Sequence, residues 1–166
     1  MACNAIKQFT YDACQPNLGG IKKVWLADYV EDAATLDASG ETVSAFTESV
    51  TWTEYPMRKN VASMTSTLNT STDGAVYVST ELSMVFSKME TAKRMAVMAL
   101  ALGECMALVE DSNGMLWFLG KDAPLTATSG TGETGVNKGD KNAYSIVLTD
   151  ESLEMPHQVS NELRPK

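Results

Sequence analysis

The stretch from Val61 to Ser87 constrains this chain more than any other. Val61–Asn69 and Ala75–Ser87 are two extended runs separated by Thr70-Ser-Thr-Asp-Gly74, and an Asp-Gly pair in that place favours a hairpin reversal. Ala62, Met64 and Leu68, then Val76, Val78, Leu82, Met84 and Phe86, fall on one face. Ser63, Thr65 and Thr67, then Ser79, Glu81 and Ser83, fall on the other. Side chains alternate across a strand, so the sequence predicts a long hairpin with an apolar face and a face of small polar groups.

A helix is predicted to follow directly. Ser87-Lys-Met-Glu90 fits the S-x-x-E capping box, residues 88–102 hold good helix formers with no Gly or Pro, and Gly103 is a natural stop. The last two turns, Met95-Ala-Val-Met-Ala-Leu-Ala-Leu102, are apolar all round. A helix end of that kind needs cover on every side. One sheet of a small domain covers one side, so the pattern predicts that a neighbouring subunit covers another, with Met95, Met98 and Leu102 at the contact.

The remaining segments read mainly as strands and turns. A polar arm runs to Gly19-Gly20 and precedes a strand at Ile21–Tyr29, with Val24 and Leu26 on one face and Trp25 and Ala27 on the other. An acidic loop at Glu31–Glu41 leads to a strand predicted over Phe46–Glu54. Glu104–Glu110 and Met115–Gly120 form a hairpin around Asp111-Ser-Asn-Gly114, apolar on both faces and so buried on two sides. Asp122–Asn142 is rich in Gly and Thr and reads as a surface loop. Ala143–Asp150 is a strand, and Leu153–Val159 a short one that Pro156 marks as an edge. The predicted class is mainly β (α+β): a β-sandwich or barrel with one flanking helix. Residues 1–20 form the arm, 21–160 a single domain and 161–166 a frayed tail.

Composition narrows the function. The 166 residues are 44% hydrophobic and 20% charged, enough for a core and too apolar for a disordered chain. A formal net charge of -8 opposes gripping nucleic acid along an extended surface, because phosphate binding needs clustered Lys and Arg. The longest apolar run, Met95–Leu102, is far short of the ~20 residues of a membrane span, and no signal-peptide pattern opens the chain. The chain is expected to be made in a cytoplasm, where Cys3 and Cys14 of the arm stay reduced in preference to pairing. Cys105 reads as a small buried hydrophobe.

Apparent chemical motifs dissolve on inspection. Gly130-Thr-Gly-Glu-Thr-Gly135 matches G-x-G-x-x-G, yet no helix can open after it to receive a pyrophosphate, and Val136 stands where a P-loop needs Lys. Gly130 and Gly135 read instead as parts of a flexible loop that contacts neighbouring subunits. The single His157 has no nucleophile or orienting acid near it in sequence and reads as solvated. Glu110, Asp111 and Asn113 have the spacing of a turn rather than of a calcium loop. The reading contains no catalytic, cofactor-binding or metal-ligating residue, and no cofactor.

Four segments carry a family resemblance: Gly19-Gly-Ile-Lys-Lys-Val-Trp-Leu-Ala-Asp-Tyr29, the Ala75–Leu102 passage from strand to helix, Asn113-Gly-Met-Leu-Trp-Phe-Leu-Gly120, and Lys138-Gly-Asp-Lys-Asn-Ala-Tyr144. With the order of elements, they resemble the tail tube proteins of long-tailed bacteriophages, including phages of Bacteroides-type gut bacteria, and the related tubes of contractile injection systems. The likeness spans residues 19–159. It implies a virion protein that assembles with itself into stacked hexameric rings and meets other tail proteins. DNA would pass through the lumen without specific binding during ejection, and the chain would bind no membrane. Ser63, Thr65, Thr67, Ser79, Glu81 and Ser83 would line that lumen. The Cys-bearing arm is not required by the family pattern and leaves open a related connector ring. A capsid decoration or head-fibre protein and a carbohydrate-binding adhesin are the other readings.

Overall fold

The computed structural model describes residues 8–166. Among them, eleven strands and one α-helix build two sheets. In chain order the strands are β1 (Ile21–Asp28), β2 (Ala34–Leu36), β3 (Thr42–Phe46), β4 (Thr53–Glu54), β5 (Ala62–Thr70) and β6 (Val76–Ser87). After helix α1 (Thr91–Leu102) come β7 (Cys105–Asp111), β8 (Leu116–Leu119), β9 (Thr126–Glu133), β10 (Ala143–Ser152) and β11 (His157–Val159). The larger sheet has the order β2-β3-β11-β8-β7-β1-β4 and the smaller β5-β6-β10-β9. The mainly β class and the two-sheet layering agree with the sequence reading.

β1 and β7 explain why the sheets stack. Val24 and Leu26 of β1, with Cys105, Ala107 and Val109 of β7, face Leu82, Met84 and Phe86 of β6 and Ile146 and Leu148 of β10. The alternate residues Trp25, Ala27, Met106 and Leu108 point the other way, into a second core with Val43, Leu116, Phe118 and Val159. Aromatic edges close that second core: Phe46 meets Phe118 at 5.2 Å and Trp52 at 5.3 Å between ring centroids. The loop carrying Trp52 thus lids the far face of the larger sheet.

Several sequence expectations change. The Glu31–Glu41 loop contains β2. The run Phe46–Glu54 is not one strand: β3 ends at Phe46 and β4 begins at Thr53. Phe46, Val50 and Trp52 alternate correctly, but the chain turns at Thr47, where Val50 N–H donates to the Thr47 carbonyl, and all three pack on the same core. Nor does the capping box form. Ser87 ends β6, Lys88 adopts φ 69°, and the helix starts at Thr91 without a side-chain cap. Glu90 turns instead to Lys93, at 2.7 Å. The Asp122–Asn142 loop contains β9, which extends the smaller sheet. Finally, β11 is no edge: it lies between β3, in parallel, and β8. Pro156 precedes it and so removes no ladder donor.

Both ends of the folded body rest on one turn. The turn Asp111–Gly114 closes as its Asn-Gly pair predicts, with Gly114 at φ 84° and Asp111 Oδ1 accepting the N–H groups of Asn113 and Met115. Asn113 Oδ1 accepts the Leu18 N–H at 2.8 Å, fixing the arm's base. The last residues, read as a frayed tail, include a short 3-10 helix, Asn161–Leu163, with Leu163 against the second core. Glu110, almost fully buried, joins Lys22 at 3.4 Å and Arg164 at 3.3 Å. The stretch Gln8–Gly20 otherwise stays at the surface. Cys14 is an exposed free thiol, and Cys3 lies outside the described residues.

Gly120 marks the seam between the layers. It holds φ 90°, and a Cβ there would stand 2.9 Å from Met106 Cβ. Gly120→Ala is expected to cost about 2 kcal/mol or more, read as a lowered urea midpoint with an unchanged slope.

Candidate functional site

The exposed face of the smaller sheet carries mainly small polar side chains, with Tyr77, Val85 and Val147 among them. The β5–β6 register sets Ser63 opposite Ser83, Thr65 opposite Glu81 and Thr67 opposite Ser79. All six predicted lining residues therefore share one face, in three cross-strand pairs. Their neighbours on each strand point inward, where Leu82 and Met84 are fully buried. The face continues across β10, where Thr149 stands beside Glu81 and Glu151 beside Ser79. β9 adds Thr131 opposite Ser145 and Ser129 opposite Val147. A bulge between Val147 and Leu148 brings the Thr128 hydroxyl to 3.1 Å from that of Thr149.

The sequence reading missed the β9 and β10 half of this face. In β10 the alternation of Tyr144, Ile146 and Leu148 marks the apolar set, and the hydroxyl set is its complement. In β9 the signal was hidden, since Thr-Ala-Thr-Ser-Gly-Thr-Gly-Glu presents almost no apolar residue on either face.

Charge on this surface is sparse and negative. Glu81 and Glu151 have no ion-pair partner among the described residues, while Glu133 is matched by Lys141 at 2.8 Å. Lys141 also donates to the Ser145 hydroxyl at 2.8 Å. Short hydroxyls on a sheet offer weak hydrogen bonds and little relief. Free carboxylates repel phosphate over about 8 Å at physiological salt. Such a surface suits contact without capture.

Helix α1 packs against β9, but no further strand among the described residues seals either edge of the same sheet. Each neighbouring pair is antiparallel, so β5 and β9 run in opposite directions at the two ends of the order. β5 carries no charge and no proline, and β9 only a terminal Glu133. Unpaired edges of this length are usually blunted by charge, proline or cover. Here β9 of one copy can pair antiparallel with β5 of the next.

Helix α1 supplies an apolar surface beside the sheet. Lys93, Ala96, Val97 and Leu100 turn inward at helical spacing, with Leu100 in the inter-sheet core. Met95, Met98 and Leu102 are exposed, Leu102 by 85%. Of the predicted contact glycines, Gly130 lies within β9 rather than in a loop, paired with Ile146. Its neighbour Gly132 gives way to the Tyr144 ring, whose Cε1 stands 2.9 Å from where a Cβ would be. Gly135, at φ 68°, sits in a tight turn in which the Asn137 and Val136 N–H groups donate to Asp140 Oδ2 at 2.7 and 2.8 Å. Those bonds hold the Asp140 carboxyl below the usual range, the Asn137 donor first. The segment read as flexible is thus a strand followed by a hydrogen-bonded turn.

The residues set aside as chemistry stay apart from this face. His157 is not solvated; its ring is largely buried in the larger sheet, with Nε2 3.0 Å from Glu154 Oε2. Cys105 is buried, and desolvation pushes its thiol up to about 11, so it stays protonated. Among the described residues no group of three or more His, Cys, Asp or Glu is placed to hold a metal ion. No helix among them is long and apolar enough to cross a membrane. Compared with known protein families, curated proteins and solved structures, the chain matches none.

The two sides of α1 give opposite expectations. Leu100→Ala should cost about 2–5 kcal/mol of chain stability. Met98→Gln with Leu102→Gln should stay within about 0.5 kcal/mol of wild type. Chemical denaturation of dilute protein distinguishes them.

Proposed function

We propose that this chain is a subunit of a hexameric, stacked-ring phage tail tube, which conducts DNA during ejection without binding it. The observation that carries the reading is one sheet with a mainly small, polar, weakly acidic face and two unpaired edges of opposite direction. Repeated β9-to-β5 pairing around an axis removes both edges of that sheet at once.

Elementary geometry supports the size. Six copies of a four-stranded sheet, with strands ~4.8 Å apart and tilted by ~45°, close into a barrel roughly 50 Å across. Inward side chains leave a lumen of roughly 40 Å on the same geometry, which admits a hydrated DNA duplex. Hydroxyls from Ser63, Thr65, Thr67, Ser79 and Ser83 then line the wall without obstructing it. Glu81 and Glu151 repel the passing phosphates. The exposed apolar side of α1 becomes a contact between neighbours or between successive rings, and its burial adds about 25 cal/mol for each Å² removed from water.

Negative-stain electron microscopy of concentrated protein should show hollow rings or tubes with six-fold symmetry. A particle that sediments as a monomer at every concentration would overturn the proposal.

The wall chemistry has its own test. Glu81→Lys puts six positive charges around the lumen of each ring. Assembled Glu81→Lys tubes are expected to retain short duplex DNA at low salt and release it at high salt, whereas wild-type tubes retain none. Equal behaviour would place Glu81 away from the conduit.

A further inference from the structure

We propose that Asp150 is a proton-operated latch between the two sheets: protonated, its carboxyl keeps the seam at Gly120 closed, and ionised, it lets that seam open. Asp150 lies on the inner face of β10 and is 5% exposed. Its Oδ2 accepts the Gly120 N–H at 3.2 Å, so a residue of the smaller sheet holds the end of β8 in the larger. On its other flank, opposite it in the β6–β10 register, stands Thr80 of β6, fully buried, whose hydroxyl lies 3.0 Å from Ser66 Oγ of β5. Ser66, Thr80, Asp150 and Gly120 thus make a polar row across a layer that is otherwise apolar.

The row ends unsatisfied. Asp150 Oδ1 is buried without a hydrogen-bond partner among the described residues. Beside Asp150 is a cavity of about 10 Å³ that Asp122, Ser152 and Glu154 also line, room for one water at most. An ionised carboxylate there is short of donors.

Nearby cations are committed elsewhere. Lys121 pairs with Asp122 at 3.1 Å and with Glu154 at 3.9 Å. His157 pairs with the same Glu154. β5 and β6 bring only the Ser66 and Thr80 hydroxyls to the row, and Asp122 adds a like charge. Burial first, and Asp122 in addition, raise the Asp150 carboxyl above the ordinary aspartate range against the bond from Gly120. The sign follows by linkage. A group whose folded value is raised gives stability that is fully present below its unfolded value and is lost as pH rises through the folded value. Rising pH therefore opens the latch and falling pH closes it.

The test uses the full-length chain, whatever its state of assembly, so it succeeds or fails independently of ring formation. Asp150→Asn fixes the side chain in a neutral form of the same shape. At pH 8 its folding equilibrium constant is expected to exceed that of wild type by roughly tenfold, the scale of an unmade hydrogen bond to a buried group. That gap is expected to close as pH falls to 4. Hydrogen exchange at the Gly120 amide, corrected for intrinsic pH dependence, should quicken with rising pH in wild type and stay level in Asp150→Asn. A gap that is constant with pH, or a variant less stable at every pH, overturns the latch. Should the variant fail to fold, a carboxyl-carbon NMR titration of wild type decides: a midpoint above the ordinary aspartate range supports it, and one within or below that range overturns it.

Discussion

Burial of β7 on both faces is the constraint on which the rest of the fold depends. Cys105 through Glu110 are all buried, and alternate side chains enter different cores. A strand of that kind needs cover above and below. On one side the smaller sheet supplies it, which commits the inner set of β6 and β10 to Leu82, Met84, Ile146 and Leu148. On the other side short strands and the Trp52 loop supply it. The smaller sheet's second face is left over from this arrangement. It has no core to meet, so its residues are free to be chosen for what they touch outside.

That freedom explains the contrast between the two halves of the smaller sheet. Toward β7 it is dense and apolar, apart from the row through Thr80 and Asp150. Away from β7 it carries hydroxyls, and its edge strand β9 is almost bare of large side chains. Gly132 shows the cost of bareness being offset, because the Tyr144 ring lies over it and fills the space a side chain would have used. Glycine in β9 reads as a compact strand leaning on its neighbour's aromatic, not as slack.

Legibility in the sequence followed how many physical signals each element carried. β5, β6 and the Asp111–Gly114 hairpin combined alternation with a turn of defined chemistry, and their faces were read residue by residue. All six proposed lining residues came from that passage. β9 and its contribution to the polar face escaped, because a strand without an apolar set has no period to detect. The capping box misled for another reason. Ser87 is a good cap by type, but pairing with Ala143 keeps it in the sheet, and tertiary pairing outweighs a local preference. Pro156 was a true signal assigned to the wrong residue, since it ends a connection one position before β11 starts. Long-range partners, such as Asp150 for Gly120 or Glu110 for Arg164, leave no mark in sequence spacing at all.

Glu110 and the turn that follows it anchor both ends of the body. Lys22 reaches Glu110 from one end of the chain and Arg164 from the other. The Asn113 side chain holds Leu18, and the Gly114 carbonyl lies 3.5 Å from the Arg164 guanidinium. The body between Leu18 and Arg164 therefore starts and finishes beside one turn. A short linker joining those two residues would make that body circular, and new termini opened at the Asp73-Gly74 tip would fall outside both cores. The order in which the strands are synthesised is thus separable from the shape they reach.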